Sequence, residues 1–286
     1  MSNGFLLIDK PEGISSFDVI RKLRKITGIR KMGHTGTLDP FATGLLIVCL
    51  GKYTRLAQFI EAHSKVYQVS ASFGSKTDTG DPTGQVTETT ELPVALPNIS
   101  DLINSTLSLQ SLAIPAYSAV KINGKRAYQY AREGKEPDIP DREVTIHEFS
   151  VDSLSQTGID YICRVSKGTY IRSLSQWIAA YCGTLGVTTS LRRIAIGGAS
   201  IDLASSIEQL DQDNWTTAVK PAKEVLQGFS NHQISLDELT DIYHGRSIAV
   251  PGDDEYPVMI YNDDSLIAVA ERRDGRLYTR INLSHE

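Results

Sequence analysis

Gly33-His34-Thr35-Gly36-Thr37-Leu38-Asp39-Pro40-Phe41-Ala42-Thr43-Gly44-Leu45-Leu46 is the most unusual stretch of this 286-residue chain. It sets one carboxylate, one imidazole, three threonines and three glycines against an apolar run, Leu45 to Leu50, that reads as a fully buried strand. A Gly-rich loop ahead of an apolar run suggests phosphate binding. The spacing matches neither GxxxxGK followed by Ser or Thr nor GxGxxG, so no nucleotide site is expected. Taken alone, the stretch is a turn joining a helix to a strand, with Asp39 capping backbone amides. The concentration of polar groups beside a buried strand speaks against so plain a role. Pro40 restricts the backbone at and before itself, which is one way to hold a single carboxylate in place.

Working outward, Phe5 to Ile8 is a strand candidate. Ser15 or Ser16 caps a helix running to Thr27, stopped by Gly28. Residues 32 to 44 are expected as loop, Thr54 to Ala62 as helix and Lys65 to Phe73 as an alternating strand. Gly74 to Gln85 reads as a polar loop and Ile99 to Leu107 as a short helix. Residues 110 to 140 carry Pro115, Pro137, Pro140 and several bases, and read as an inserted loop with one helix, Ala127 to Glu133. Arg142 to Leu154 and Ile159 to Val165 read as a strand pair, Ile171 to Tyr181 as an amphipathic helix and Leu191 to Ile196 as a strand. The composition changes beyond about residue 225. There a helix, Leu236 to His244, precedes short strands at 258–261, 266–271 and 277–281, separated by Asn262-Asp263-Asp264 and Asp274-Gly275. The expected division is a domain of residues 1–228 and a small β-rich domain of residues 229–286.

The composition, 41% hydrophobic and 22% charged, is that of a globular chain and excludes a disordered or fibrous one. No run approaches the roughly 18 apolar residues of a membrane span. Cys49, Cys163 and Cys182 give neither a disulfide framework nor a metal spacing, and fit a reducing cytoplasm. The net charge of −5 argues against a nucleic-acid partner, but its distribution reverses that. Residues 200–286 hold 16 acids and 7 bases, leaving 18 acids and 22 bases in residues 1–199. Arg21, Lys22, Arg24, Lys25, Arg30 and Lys31 form one acid-free cluster. Arg164, Lys167, Arg172, Arg192 and Arg193 form another. Such patches would make a footprint for a polyanion, the alternative being solvated surface charge.

The full pattern GHTGTLDPxATGLL resembles the catalytic motif of the TruB family of tRNA pseudouridine synthases, and fourteen residues in order make a specific signal. Lys10-Pro11-Glu12-Gly13-Ile14-Ser15-Ser16 resembles the family's KPxGxSS segment, and Lys65-Val66-Tyr67 its KxY strand. Pro115 to Lys121, Gly124 to Tyr128 and Ala131-Arg132 resemble its RNA-contacting insertion. Ser166 to Leu174 resembles KGTYIRSL, and Leu191-Arg192-Arg193 resembles LRR. The likeness covers residues 5 to about 200, and Ala116, where many members have a second Pro, is a minor variation.

The resemblance implies an α+β pseudouridine-synthase fold. A mixed, largely antiparallel central sheet is flanked by helices, and a small C-terminal PUA-like β domain follows. It implies isomerisation of uridine to pseudouridine at position 55 in the T loop of tRNA, by base flipping, with no metal or other cofactor. Asp39 is the implied catalytic aspartate, Arg172 its ion-pair partner and Tyr67 the aromatic against the base. Tyr170 and Leu191 are implied pocket residues, and His34 fills the gap left by the flipped base. Lys10, Lys121 and Arg126 complete the expected substrate-binding set. Asp39 could add to the base, attack the sugar or remove a sugar proton, and the residues do not choose among these. The expected partner is tRNA at its T arm and elbow, engaged by a cytoplasmic monomer without a guide RNA or a membrane. The alternative is a non-catalytic tRNA-binding or folding chaperone on the same scaffold, against which intact Asp39, Tyr67 and Arg172 argue.

Overall fold

A computed structural model describes residues 3–122, 124–135 and 139–283. Two strands without alternation organise it, Gly4–Lys10 and Thr43–Leu50, paired antiparallel from Gly4 opposite Leu50 to Lys10 opposite Gly44. Strands that are apolar at every position are covered on both faces. One face, with Leu6, Ile8, Leu46 and Val48, packs on Val19, Ile20 and Leu23 of the helix Ser16–Thr27. The other, with Phe5, Leu7, Leu45 and Ile47, meets Met259, Tyr261 and Val269 from the C-terminal part. The helix is set by a capping box between Ser15 and Asp18 and ends at Gly28, whose φ of 71° an L side chain rarely adopts.

The central sheet runs in the order Ile146–Ser155, Gly158–Val165, Lys65–Phe73, Gly186–Ile196, Thr43–Leu50, Gly4–Lys10 and Ser205–Ser206. Its neighbours along this path are antiparallel, except that Gly186–Ile196 is parallel to Thr43–Leu50 and Gly4–Lys10 to Ser205–Ser206. The sheet is thus mixed and largely antiparallel, as expected. Gly44, at φ 103°, permits the first of these parallel contacts. A Cβ there would lie 2.3 Å from the Arg193 carbonyl oxygen. The helix Ile171–Tyr181 packs its buried Ile171, Leu174 and Ile178 on the outer half of the sheet with Tyr67, Val69 and Tyr161.

Several boundaries differ from the sequence reading. Met32–His34, expected as loop, is a short strand against Val48 to Leu50, so the loop proper is residues 35–42. Ser75–Thr77, inside the segment read as a polar loop, is a short strand paired with Val86–Thr89 just beyond it. Residues 51–56 turn as a 3₁₀ helix before the α-helix Ala57–Ala62. The insertion holds a two-residue ladder, Lys121–Ile122 with Lys125–Arg126, and the helix Ala127–Arg132. Pro137, read as part of the insertion, lies outside the described residues.

Residues 230–282 form a separate five-stranded sheet. Ser230–Gln233 runs parallel to Glu255–Asn262, which continues into the meander Ser265–Arg273 and Arg276–Asn282. Asp274 and Gly275, at φ 51° and 69°, make the hairpin turn that their sequence announces. No helix among the described residues is long and apolar enough to cross a membrane.

Candidate active site

Asp39 stands on the 35–42 loop, which is fixed from three directions. Ser16 Oγ accepts from the Leu38 amide at 2.9 Å and donates to the Leu38 carbonyl at 3.2 Å. The Gly13 amide donates to the Pro40 carbonyl at 2.8 Å. Arg193 Nε donates to the Leu45 carbonyl at 2.8 Å and Nη2 to the Gly36 carbonyl at 3.1 Å. Leu38, Phe41 and Ala42 are buried in the core with Tyr67, so the loop is anchored by packing as well. About a third of the Asp39 side chain, 34%, stays open to a cavity of about 510 Å³.

Arg172, 4% exposed, spreads its guanidinium over four acceptors. Nε lies 3.0 Å from Asp39 Oδ2, and Nη1 lies 3.4 Å from Asp81 Oδ2. Nη1 also donates to the Thr79 carbonyl at 2.5 Å and Nη2 to the Tyr117 carbonyl at 3.1 Å. The expected partnership with Asp39 is there, but the fork is shared with a second buried carboxylate. Asp81 is itself held, with Oδ1 accepting from Thr79 Oγ1, the Thr83 amide and Thr83 Oγ1.

The floor comes from two paired strands. Tyr67 lies opposite Arg193 and Val69 opposite Leu191, so Tyr67, Leu191 and Arg193 share one face. Arg193 is 1% exposed and lies opposite Tyr67 across the strand pair. Lys10 and Lys65 are buried beside it. Burial lowers both ammonium groups to about 8, with the Arg193 charge adding to the shift. Burial raises the Asp39 carboxyl above its ordinary range, opposed chiefly by Arg172, while Asp81 adds to the rise and Lys10 opposes it. Burial also raises the Tyr67 phenol, so the ring meets a ligand protonated at neutral pH. Arg172 and Lys10 act on Asp39, and Arg193 acts on Lys10, Lys65 and Tyr67, so the site holds several buried cations suited to developing negative charge.

The cavity gathers Asp39, Tyr67, Tyr170, Arg172 and Leu191 among its lining residues. Tyr170 caps the helix Ile171–Tyr181, with Arg142 over its ring at 6.0 Å. His34 lies outside the lining, at the end of its short strand, with Nδ1 buried and unpartnered. Lys121 and Arg126 also lie outside it, exposed on the insertion's ladder. Lys10, expected among the substrate-binding residues, lies beneath the loop and not in the cavity lining. It is 0% exposed, and Nζ donates to the carbonyls of Pro11, Ile14 and Pro40, so it braces the loop. The basic cluster of residues 164–193 is not a surface patch. Arg172 and Arg193 are buried, Arg192 pairs with Asp9 at 2.7 Å and Arg164 with Glu148 at 2.9 Å.

Sequence reasoning passed over Asp81 and took Arg193 for surface charge. Two signals point to them. Asp81-Pro82-Thr83-Gly84 repeats the Asp-Pro and Thr-Gly steps of the Asp39 loop, and Arg193 sits two residues from Leu191, on the same face of a strand.

A fixed carboxylate, a buried guanidinium and an aromatic floor meet in one cavity, groups suited to acid–base or nucleophilic chemistry. Residues 24–171 match the profile of the TruB family pseudouridylate synthases, N-terminal domain. The chain is 35% identical to tRNA pseudouridine synthase B of Oenococcus oeni, over 100% of this chain and 99% of that one. It is 34% identical to the same-named protein of Aquifex aeolicus, over 96% and 97% of the two chains. This chain therefore belongs to the TruB family of pseudouridylate synthases. Its fold is also that of a chain in a structure of an H/ACA RNP bound to a substrate RNA containing 2′-deoxyuridine. The TM-score there is 0.71 at 19% identity, covering 98% of this chain and 84% of that one. The fold is the expected α+β pseudouridine-synthase fold with a small C-terminal PUA-like β domain.

Proposed function

We propose that this chain isomerises uridine to pseudouridine in tRNA, at position 55 of the T loop, working as a cytoplasmic monomer without a guide RNA. The observation that carries this reading is the Asp39 carboxylate, held 3.0 Å from buried Arg172 and open to the cavity above Tyr67 and Leu191. Substrate and product have the same composition, so no co-reactant is consumed: the C1′–N1 bond breaks, the uracil turns, the C1′–C5 bond forms, and C5 loses a proton while N1 gains one. The base must leave its stack, at a cost of a few kcal/mol, and Tyr67 and Leu191 offer it a new apolar floor. Arg172 opposes the effect of burial and keeps Asp39 available as an anion. Asp39 then adds to the base, attacks the sugar or takes a sugar proton. In each route negative charge develops on the uracil, and the buried cations stabilise it. His34 fills the gap in the RNA. Exposed Lys121 and Arg126 hold phosphates at the T arm and elbow. Residues 1–228 form the catalytic domain and residues 229–286 the PUA-like domain, a division supported by the separate five-stranded sheet.

The test is to incubate purified protein with an unmodified tRNA transcript and no guide RNA, and to map pseudouridine by position. Product at position 55 with wild type and none with Asp39→Asn is expected. RNA refolding without product would mean a chaperone.

A further inference from the structure

No Asp or Glu stands between Asp18 and Asp39, whereas six Lys and Arg residues do. Unlike the bases of residues 164–193, most of these remain at the surface. The helix Ser16–Thr27 buries Val19, Ile20 and Leu23 in the core. Arg21, Lys22 and Lys25 stay exposed on its outer side, and exposed Arg30 and Lys31 follow before the strand Met32–His34. Arg21 pairs with Asp18, Lys22 lies 4.0 Å from Glu208, and Arg24 stands over the Phe17 ring at 6.0 Å. Lys25, Arg30 and Lys31 have no ion-pair partner among the described residues. A helix C-terminus favours cations in its last turn, which accounts for Arg24 and Lys25. It does not account for Arg30 and Lys31, which lie beyond the helix. Lys25 also stands four residues from Arg21 and three from Lys22, so like charges repel along one face and weaken the helix. Folding alone gives no reason to gather them.

Their position relative to the cavity supplies one. The cavity lies between the catalytic loop, residues 35–39, and the insertion, which contributes Tyr117, Tyr128 and Arg132. The insertion carries exposed Lys121 and Arg126 beyond one wall. The helix stands behind the other, because Ser16 Oγ bonds the Leu38 amide and carbonyl. Lys25 is nine residues along the helix from Ser16, about 13 Å at 1.5 Å per residue. Lys31 is four residues before Thr35 along the strand Met32–His34, again about 13 Å at 3.3 Å per residue. On the duplex scale of about 3.4 Å per base pair, that is roughly four base pairs from the catalytic loop. We propose that Lys25, Arg30 and Lys31 form a second RNA-binding surface, opposite the insertion, that holds backbone phosphates of the stem whose loop base enters the cavity. This rests on the reading above of tRNA as the substrate. Three exposed cations fit phosphates, which fix the register of an RNA and carry no sequence.

Binding is measured in an Asp39→Asn background, so that no turnover intervenes. Lys25→Ala, Arg30→Ala and Lys31→Ala combined should weaken binding of a tRNA transcript at least tenfold at low salt. The slope of log affinity against log salt should flatten by about 2 to 3 units, near 0.9 per duplex phosphate contact. Lys25→Arg, Arg30→Lys and Lys31→Arg combined keep the charges and should retain both affinity and slope. Tm of the alanine variant should hold or rise, because like charges have been removed. An isolated T-arm stem-loop should show the same loss, and a linear oligonucleotide of its loop should show none. Unchanged affinity with parallel slopes would overturn the proposal. So would an equal loss on the linear oligonucleotide, which places the contact at the loop, or a loss that tracks a fall in Tm. A wild-type dimer that the alanine variant disperses, with RNA affinity intact, would give the surface to a second copy and overturn it too. Stem-dependent loss in a protein that makes no pseudouridine would instead overturn the isomerase reading and leave this surface standing.

Discussion

Arg172→Lys retains a positive charge and should still disable the site. The guanidinium reaches Asp39 at 3.0 Å, Asp81 at 3.4 Å, the Thr79 carbonyl at 2.5 Å and the Tyr117 carbonyl at 3.1 Å, through three nitrogens in one plane. A single ammonium on a shorter fork cannot meet all four. Asp81, with its side chain 6% exposed, would be left buried with its hydroxyl and amide donors but weakened charge pairing. Breaking a buried pair by removing one partner destabilises by about 3–5 kcal/mol, and a lysine that keeps part of the attraction belongs at the lower end. An orphaned buried carbonyl adds about 1 kcal/mol. A total of about 4 kcal/mol corresponds to a fall in Tm of roughly 10 °C for a chain of this size. Turnover should fall by about a hundredfold or more, because an ångström of misplacement at the reacting group is enough for that. Differential scanning calorimetry and single-turnover tritium release from 5-tritiated uridine in tRNA would measure both. A lysine variant within twofold of wild-type turnover and within about 2 °C in Tm would refute the argument that the fork is needed.

Asp39→Asn should abolish turnover in the same release assay while leaving tRNA affinity in filter binding within a few-fold. Because burial raises the folded Asp39 carboxyl above 3.8, the folded chain holds that proton longer than the unfolded one. Wild type therefore loses stability relative to the Asn variant as pH rises from about 4, and melts of both across pH 4–7 test the sign. Lys10→Met removes donors to three backbone carbonyls and should lower both Tm and kcat. Lys10 titrates near 8 when folded against 10.5 unfolded, so wild type should gain stability over the Met variant between those values. Lys121, Lys125 and Arg126 changed together to Ala should flatten the slope of log affinity against log salt by about 2 units, near 0.7 per phosphate contact, with Tm nearly unchanged. Parallel salt slopes for wild type and this triple variant would remove the insertion from RNA binding.

Most of the secondary structure was legible because its signals are local. The run Leu45 to Leu50 is apolar at every position, Lys65 to Phe73 alternates, and Ser15 with Asp18 and Gly28 brackets a helix. The misread segments answer to partners distant in sequence. Met32–His34 is a strand because residues 48–50 present a free edge to it. Ser75–Thr77 has no apolar pattern, and its partner Val86–Thr89 is exposed at every position. The order of the central sheet was not legible at all. Its parallel contact between Thr43–Leu50 and Gly186–Ile196 joins segments more than a hundred residues apart, and Gly44 shows its purpose only once the Arg193 backbone is against it.

Charge was the most misleading signal, for a physical reason. The bases between 164 and 193 look alike in sequence, but burial divides them. Arg172 and Arg193 lie inside and shape the environment of Asp39 and Tyr67, while Arg164 and Arg192 pair with acids near the surface. Lys10 follows the same rule. Its motif suggested a ligand contact, yet with no exposed surface its ammonium can act only through the loop it braces and the field it adds. Burial also explains why Asp81 escaped notice. Its link to Asp39 passes through one guanidinium, and that guanidinium is held by the carbonyl of Thr79, 93 residues away in sequence. A carboxylate that must stay ionised where burial opposes ionisation needs a fixed cation, and a buried cation shared by two carboxylates is fixed more firmly than one serving a single partner. On that argument Asp81→Asn should impair turnover through Arg172 without touching the substrate, and its loss should not add to that of Arg172→Lys.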